Sequence, residues 1–302
     1  MNFITRKFKS LIVWSLMNIK PLNKMFSDET YLKILYRLYF GFPLDLDNPK
    51  RFTEKIQWLK LYNKSAECTM MADKLSVKQY ISNTLGKQYV IPLLGVYEHF
   101  DDIDFDKLPK QFVLKTTHDS GGPVICKDKS KFDIEEAKKK LSGRLKTNYF
   151  YRGREYPYKN IPPCIIAEQY MEDEYGELRD YKLFCFEGKV RMFKIDVNRY
   201  SGGKKRHFAN YYDNNCNLLP LGESHFIPDA TTDVHMPDNI HEMIQLAQVI
   251  ATGFPFVRVD FYNVKGRVLF GEITFHPAGG FDRIVPDEWD YILGNWINIP
   301  SF

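Results

Sequence analysis

Phe256-Val-Arg258-Val-Asp260-Phe-Tyr-Asn263, a turn at Val264-Lys-Gly-Arg267, then Val268-Leu-Phe-Gly-Glu272-Ile-Thr274: this stretch reads as two strands of a hairpin. Strand alternation puts Arg258 and Asp260 on one face. Pairing across the turn can bring Glu272 beside Asp260. Two neighbouring carboxylates repel each other unless a cation lies between them, and oxygen ligands of this kind suit Mg²⁺. An arginine neutralising two acids in a structural network needs the same spacing, so the pattern alone leaves both readings open.

Upstream lies a second hairpin. Gln111-Phe-Val-Leu-Lys115 reads as a short strand ending in a lysine, and Pro123-Val-Ile-Cys-Lys127 as its partner. Between them Ser120-Gly121-Gly122 forms the tip. Bare glycines let backbone amides approach phosphate oxygens, and a lysine at the strand end can reach the same phosphates. A hairpin also needs glycine for its turn geometry alone. Ile165-Ile-Ala-Glu168-Gln169-Tyr170-Met171 is a further strand, with an acid where the apolar run ends. Asp180–Phe186 and Val190–Ile195 alternate around Glu187-Gly-Lys189 as another hairpin, and 239–252 has the period of a helix.

Before residue 100 the chain reads as mainly helical. The expected helices are 29–40, stopped by Gly41, then 53–62, then 73–81 with Asp73 as cap and Gly86 as stop. Tyr89–Tyr97 is strand-like. Asp133 is placed to cap a helix over 134–145, and Tyr149–Lys159 has no period and reads as a loop. The expected organisation is a basic amphipathic segment over 1–28, a helical and partly α/β region over 29–108, and the body of the molecule over 109–302.

The chain has 302 residues, 44% hydrophobic and 26% charged, which fits a folded globular protein and excludes a wholly disordered or coiled-coil chain. Residues 1–24 carry five bases (Arg6, Lys7, Lys9, Lys20, Lys24) and no acid, leaving 37 bases against 38 acids in the rest. A body so nearly neutral argues against nucleic acid as the main partner. The apolar run Leu11–Met17 is too short to span a bilayer, and a basic helix there suits an anionic membrane surface or packing on the body. Cys68, Cys126, Cys164, Cys185 and Cys216 are odd in number with no Cys-x-x-Cys, as expected of reduced thiols in a cytoplasmic protein.

Taken in order, Phe-Val-Leu-Lys115, Ser-Gly-Gly122, Ile-Ile-Ala-Glu168, Arg258-x-Asp260 and Glu272-x-Thr274-x-x-Pro277 resemble the ATP-grasp superfamily. More narrowly they resemble the TupA-like ATP-grasp proteins of bacterial surface-polysaccharide biosynthesis. Asn48–Tyr62, Ala72-Asp-Lys74, Leu108–His118, Tyr158–Pro162, Asp180–Phe186 and Phe256–Asn263 carry that likeness, which spans roughly residues 30–297. It implies an α+β fold in which two ATP-grasp lobes sandwich the nucleotide behind a mainly helical N-terminal region.

The resemblance also implies roles. Lys115 would bind ATP phosphates, with Ser120, Gly121 and Gly122 covering them. Glu168, Gln169, Tyr170 and Met171 would form the hinge around adenine, and Asp180 the ribose-binding acid. Asp260 and Glu272 would hold Mg²⁺, and Arg258 would steady an acyl phosphate. Many superfamily members carry Asn where this chain has Thr274, and a hydroxyl is a poorer Mg²⁺ ligand than an amide carbonyl.

The implied function is an ATP-dependent ligase joining a small-molecule carboxylate to an amine or related nucleophile on a saccharide acceptor. The alternatives are a glycosyltransferase, for which Asp102-Ile-Asp104 and Asp104-Phe-Asp106 supply the acidic letters, and a catalytically silent nucleotide binder. His276, the Tyr149–Lys159 stretch and the Arg199–Arg206 loop are further candidates for contact with an anionic acceptor.

Overall fold

The computed structural model describes residues 3–174, 176, 178–197, 207–224, 228–232 and 234–300, with the side chains of 3–7 and 20 left aside. The Arg199–Arg206 loop lies outside the described residues, as do the side chains of Arg6, Lys7 and Lys20. Helices are α1 (Phe3–Asn18), α2 (Lys20–Lys24), α3 (Asp28–Phe40), α4 (Phe52–Tyr62), α5 (Ala66–Ala72), α6 (Ser76–Thr84), α7 (Ile134–Leu145), α8 (Phe150–Gly153), α9 (Ile240–Ala251) and α10 (Glu288–Asn295). Strands are β1 (Leu93–Tyr97), β2 (Phe112–Thr116), β3 (Val124–Cys126), β4 (Ile165–Gln169), β5 (Asp180–Phe186), β6 (Lys189–Val197), β7 (Phe208–Tyr212), β8 (Gly222–Glu223), β9 (Phe256–Val264), β10 (Arg267–Thr274) and β11 (Ile284–Val285).

They build two antiparallel sheets, ordered β1-β4-β2-β3 and β10-β9-β5-β6-β7, with a small β11-β8 ribbon beside them. The smaller sheet alternates cleanly. Phe112 and Leu114 of β2 and Ile165 and Ala167 of β4 bury one face with Ala137 and Leu141 of α7. That leaves Val113, Lys115, Ile166 and Glu168 on the other face. Asp133 begins α7 by accepting from the Glu136 amide at 2.8 Å, satisfying one of its unpaired N–H groups.

One face of the larger sheet is mostly apolar. Leu183, Cys185, Phe193, Ile195, Val257 and Val259 pack there with Met243, Ala247 and Ile250 of α9. Its opposite face changes character along each strand. Phe184, Phe186, Met192, Tyr211 and Phe256 are covered by α3, α4 and α10. Farther along the same rows stand Asp180, Lys182, Lys194, Asp196, Arg258 and Asp260. Alternation thus brings charged residues to one end of the face and apolar residues to the helix-covered end.

The hairpin turns hold two consecutive left-handed residues, Glu187 (φ 50°) with Gly188 (φ 74°) and Lys265 (φ 53°) with Gly266 (φ 79°). That geometry matches the twist of the strands it joins. Three expectations need correction. The strand expected at Tyr89–Tyr97 forms only over Leu93–Tyr97, after a 3₁₀ turn at Lys87–Tyr89. Tyr149–Lys159 is not a plain loop but holds α8 and a 3₁₀ turn at Tyr156–Tyr158, with Phe150 and Pro157 buried. The helix expected at 73–81 starts later, at Ser76, because the Asp73 carboxylate holds the Leu75 and Ser76 amides in a turn before it.

Candidate functional site

A cleft between the two sheets is lined by Lys115, Ser120, Gly121, Gly122, Glu168, Gln169, Tyr170, Met171, Asp180 and Glu272. These ten sequence-selected residues come from five separate segments. Arg258 and Asp260 do not line the cleft and stand behind Glu272 on the neighbouring strand, where Asp260 pairs in register with Glu272 and Arg258 with Thr274. Ile91, Val113, Ile125 and Leu178 give one part of the cleft an apolar wall, and Lys74, Lys78 and Lys127 add positive charge.

Glu272 reaches this face through a bulge. Phe270 pairs with Phe261, and the register then shifts so that Glu272 pairs with Asp260. Were Gly271 paired in regular register instead of bulged, Glu272 would fall opposite Val259, on the apolar face that holds Phe270 and Ile273. A Cβ on Gly271 would come within 3.0 Å of the Asp260 carbonyl oxygen, so the smallest residue suits the position.

The Arg258 guanidinium donates from Nε to Asp260 Oδ1 and from Nη2 to Asp260 Oδ2, each at 2.6 Å. Nη2 also reaches Glu272 Oε1 at 2.9 Å and Thr274 Oγ1 at 3.0 Å. Burial pushes the Asp260 carboxyl up to about 7; Arg258 opposes that rise and Glu272 adds to it. Arg258 itself is held charged, because the attraction of Asp260 and Glu272 exceeds the cost of burying it. Thr274, in the position where an amide was expected, donates to Glu272 Oε1 at 3.3 Å. It fixes the carboxylate and arginine together.

Among the described residues no group of three or more His, Cys, Asp and Glu side chains could hold a metal ion by itself. Asp260 and Glu272 carry hard oxygen atoms at paired positions, Glu272 facing the cleft and Asp260 behind it with both oxygens accepting from Arg258. That set fits Mg²⁺, which commonly takes one or two carboxylates and completes its shell with phosphate oxygens and water.

On the opposite wall Glu168 is buried between two ammonium groups, Lys78 Nζ at 2.5 Å and Lys115 Nζ at 2.6 Å. Burial alone would raise its pKa, but Lys115 and Lys78 outweigh burial and hold it at about 2. For Lys78 the balance runs the other way. Burial lowers its pKa by more than Glu168 restores, so the acid gains from the pairing while the lysine bears the desolvation. Lys78 also donates to the Ile91 carbonyl at 2.9 Å. The turn at 119–122 is tied down from below. Asp119 Oδ1 accepts from Thr116 Oγ1 at 2.7 Å and from the Gly121 amide at 3.2 Å, Arg144 Nη1 donates to the Gly122 carbonyl at 2.5 Å, and Lys74 donates to the Asp119 carbonyl.

Beyond Asp180 the charged row continues. Lys182 is ion-paired with Asp196, Lys194 lies 2.7 Å from Glu223, and Asp180 lies 3.9 Å from Lys182. His276 is not at the cleft. It is buried, its Nδ1 lies 3.9 Å from Glu155, and burial, with Lys60 nearby, holds its pKa well below the usual imidazole range. The acidic letters at 102–106 are exposed turn caps: Asp102 accepts from the His99 amide at 2.9 Å and Asp104 from the Asp106 amide at 3.1 Å.

A model of the TupA-like ATP-grasp family matches residues 54–298. The chain belongs to the TupA-like ATP-grasp family. Its fold is therefore the ATP-grasp fold, α+β with a helical N-terminal region.

Similar solved structures include D-alanine–D-alanine ligase from Bacillus anthracis (17% identity, 76% of this chain and 66% of that one, TM-score 0.41). L-amino acid ligase from Bacillus licheniformis (13%, 84% and 54%, TM-score 0.44) is another. So is phosphoribosylamine–glycine ligase from Thermotoga maritima (12%, 68% and 48%, TM-score 0.43). This TupA-like chain thus spans between about half and two thirds of the length of those proteins. The comparison with curated proteins gives no match.

Sequence reasoning left out Lys74, Lys78, Lys127 and Arg144 as site residues of this ATP-grasp cleft.

Proposed function

We propose that this protein is an ATP-dependent carboxylate–amine ligase of surface-polysaccharide biosynthesis, acting through an acyl phosphate on a small-molecule carboxylate and a saccharide acceptor. The observation that carries this reading is a cleft with an apolar wall at one part and two kinds of charge at the other. Lys115, Lys78, Lys74 and the Ser120-Gly-Gly122 turn lie on one side, and Glu272, backed by Arg258 and Asp260, on the other. The apolar wall near Met171 suits adenine, Asp180 a ribose, and the lysines with the backbone amides of the turn a triphosphate.

Mg²⁺ bound at Asp260 and Glu272 would neutralise charge on the transferring phosphoryl group. In the first half-reaction a carboxylate oxygen bonds to the γ-phosphorus and the bond from that phosphorus to ADP breaks. In the second, the amine nitrogen bonds to the acyl carbon, the C–O bond to phosphate breaks, and the nitrogen gives up a proton. Lys115 and Arg258 stabilise the negative charge that develops in each. The bonds from Arg258 to the Asp260 and Glu272 carboxylates keep the guanidinium oriented.

The test is a screen of ADP and phosphate release across amino acids and uronic acids, with mass analysis of any adduct. The reading expects ATP cleavage that depends on one carboxylate and an adduct of carboxylate plus amine minus water. Turnover of a UDP- or GDP-sugar with no ATP cleavage would replace it with glycosyl transfer.

A further inference from the structure

Helix α1 has two apolar faces and only one of them is covered. Leu16 is buried, and Ile12, Val13 and Met17 pack with it against the core formed by α3, α4 and α10. The Tyr31 hydroxyl sits between α1 and α8, its one proton shared between the Leu16 carbonyl at 3.2 Å and the Arg152 carbonyl at 3.0 Å. On the other side Phe8 is 64% exposed, Leu11 59% and Trp14 58%, and Met25, just past α2, is 68% exposed. Residues 8, 11 and 14 are three apart, so they form one stripe along the helix. A helix apolar all round is normally buried all round.

The charge of the segment says what covers this stripe. Residues 1–24 hold five bases and no acid. A second copy meeting the first through this face would bring ten cations together, whereas an anionic bilayer attracts them and takes the aromatic and aliphatic side chains at its interface. Among the described residues no helix is long and apolar enough to cross a membrane, which leaves the helix lying along the surface.

We propose that α1 is a membrane-docking helix, seated on an anionic lipid surface through Phe8, Leu11 and Trp14 while its opposite face stays on the protein. This inference does not depend on the chemistry of the cleft. The docked helix stays packed on the body through Leu16, Ile12, Val13 and Met17, so the body would sit beside the lipid plane.

The full chain is sedimented with extruded vesicles of phosphatidylcholine containing about 30% phosphatidylglycerol, and with phosphatidylcholine alone, at about 0.1 M and about 1 M salt. Binding is expected on the anionic vesicles, and it should fall about tenfold or more at high salt and in Phe8→Ser/Trp14→Ser. That variant should keep the wild-type thermal midpoint. Depth is read separately, by quenching of tryptophan emission with brominated phospholipid. The wild type should be quenched and Trp14→Phe, which keeps an apolar ring and the fold, should bind but lose the quenching. Equal pelleting of wild type and Phe8→Ser/Trp14→Ser would overturn the proposal. So would equal quenching of wild type and Trp14→Phe, or a vesicle-independent dimer that the serine variant abolishes.

Discussion

Replacing Glu168 with Gln removes the negative charge that lies between the ammonium groups of Lys78 and Lys115. A carboxyl whose pKa falls from 4.5 to about 2 on folding contributes about 3 kcal/mol to stability at neutral pH. The figure is of the order expected for breaking a buried ion pair from one side. The sign follows from the depressed folded value. The contribution is complete above the unfolded pKa of 4.5 and is lost as pH falls through about 2. Urea unfolding of wild type and Glu168→Gln should therefore differ by about 3 kcal/mol at pH 7, with the gap shrinking to less than half near about pH 3. A gap that stays constant over that range, or a variant as stable as the wild type, would show that Glu168 is not held ionised by the two lysines.

Asp260→Asn and Glu272→Gln should separate. Asp260 is buried in two 2.6 Å bonds to Arg258, so its amide variant should lose about 3 kcal/mol in urea titration. Glu272 is 42% exposed, so Glu272→Gln should stay within about 1 kcal/mol of wild type while weakening Mg·ATP binding measured by calorimetry. Gly294→Ala should cost about 2–3 kcal/mol, because its Cβ would sit 2.1 Å from the Lys50 carbonyl oxygen. Gly143→Ala, where a Cβ meets nothing within 4 Å on α7, should raise stability by about 0.5–1 kcal/mol by the same assay.

Much of this architecture is visible in the residues because local rules and tertiary contacts agree. The β5–β6 and β9–β10 hairpins alternate around Glu-Gly and Lys-Gly turns with one register shift each, and α9 repeats its apolar residues at the helical period. The dissenting elements are short. Helix α5 has seven residues, two of them (Cys68 and Met71) buried in the core, and no period that a sequence window can register. Strand β7 stands at the sheet edge and its identity depends on pairing with β6. In the cleft, Lys115, the Ser120–Gly122 turn and the Arg258/Asp260/Glu272 set stand out from residue type and order. What joins them to Lys78 and Arg144 is three-dimensional. Lys78 meets Glu168 from ninety positions earlier, and the single-residue bulge at Gly271 decides which face Glu272 occupies.

Isothermal titration of the full chain with Mg·ATP, repeated with Lys115→Met and Glu272→Gln, tests the central claim most directly. The account predicts a single ATP site per chain, weakened about tenfold or more by each substitution, with no competition from a UDP- or GDP-sugar. Absence of ATP binding by the folded wild type, or ATP binding unchanged in both variants, would contradict it.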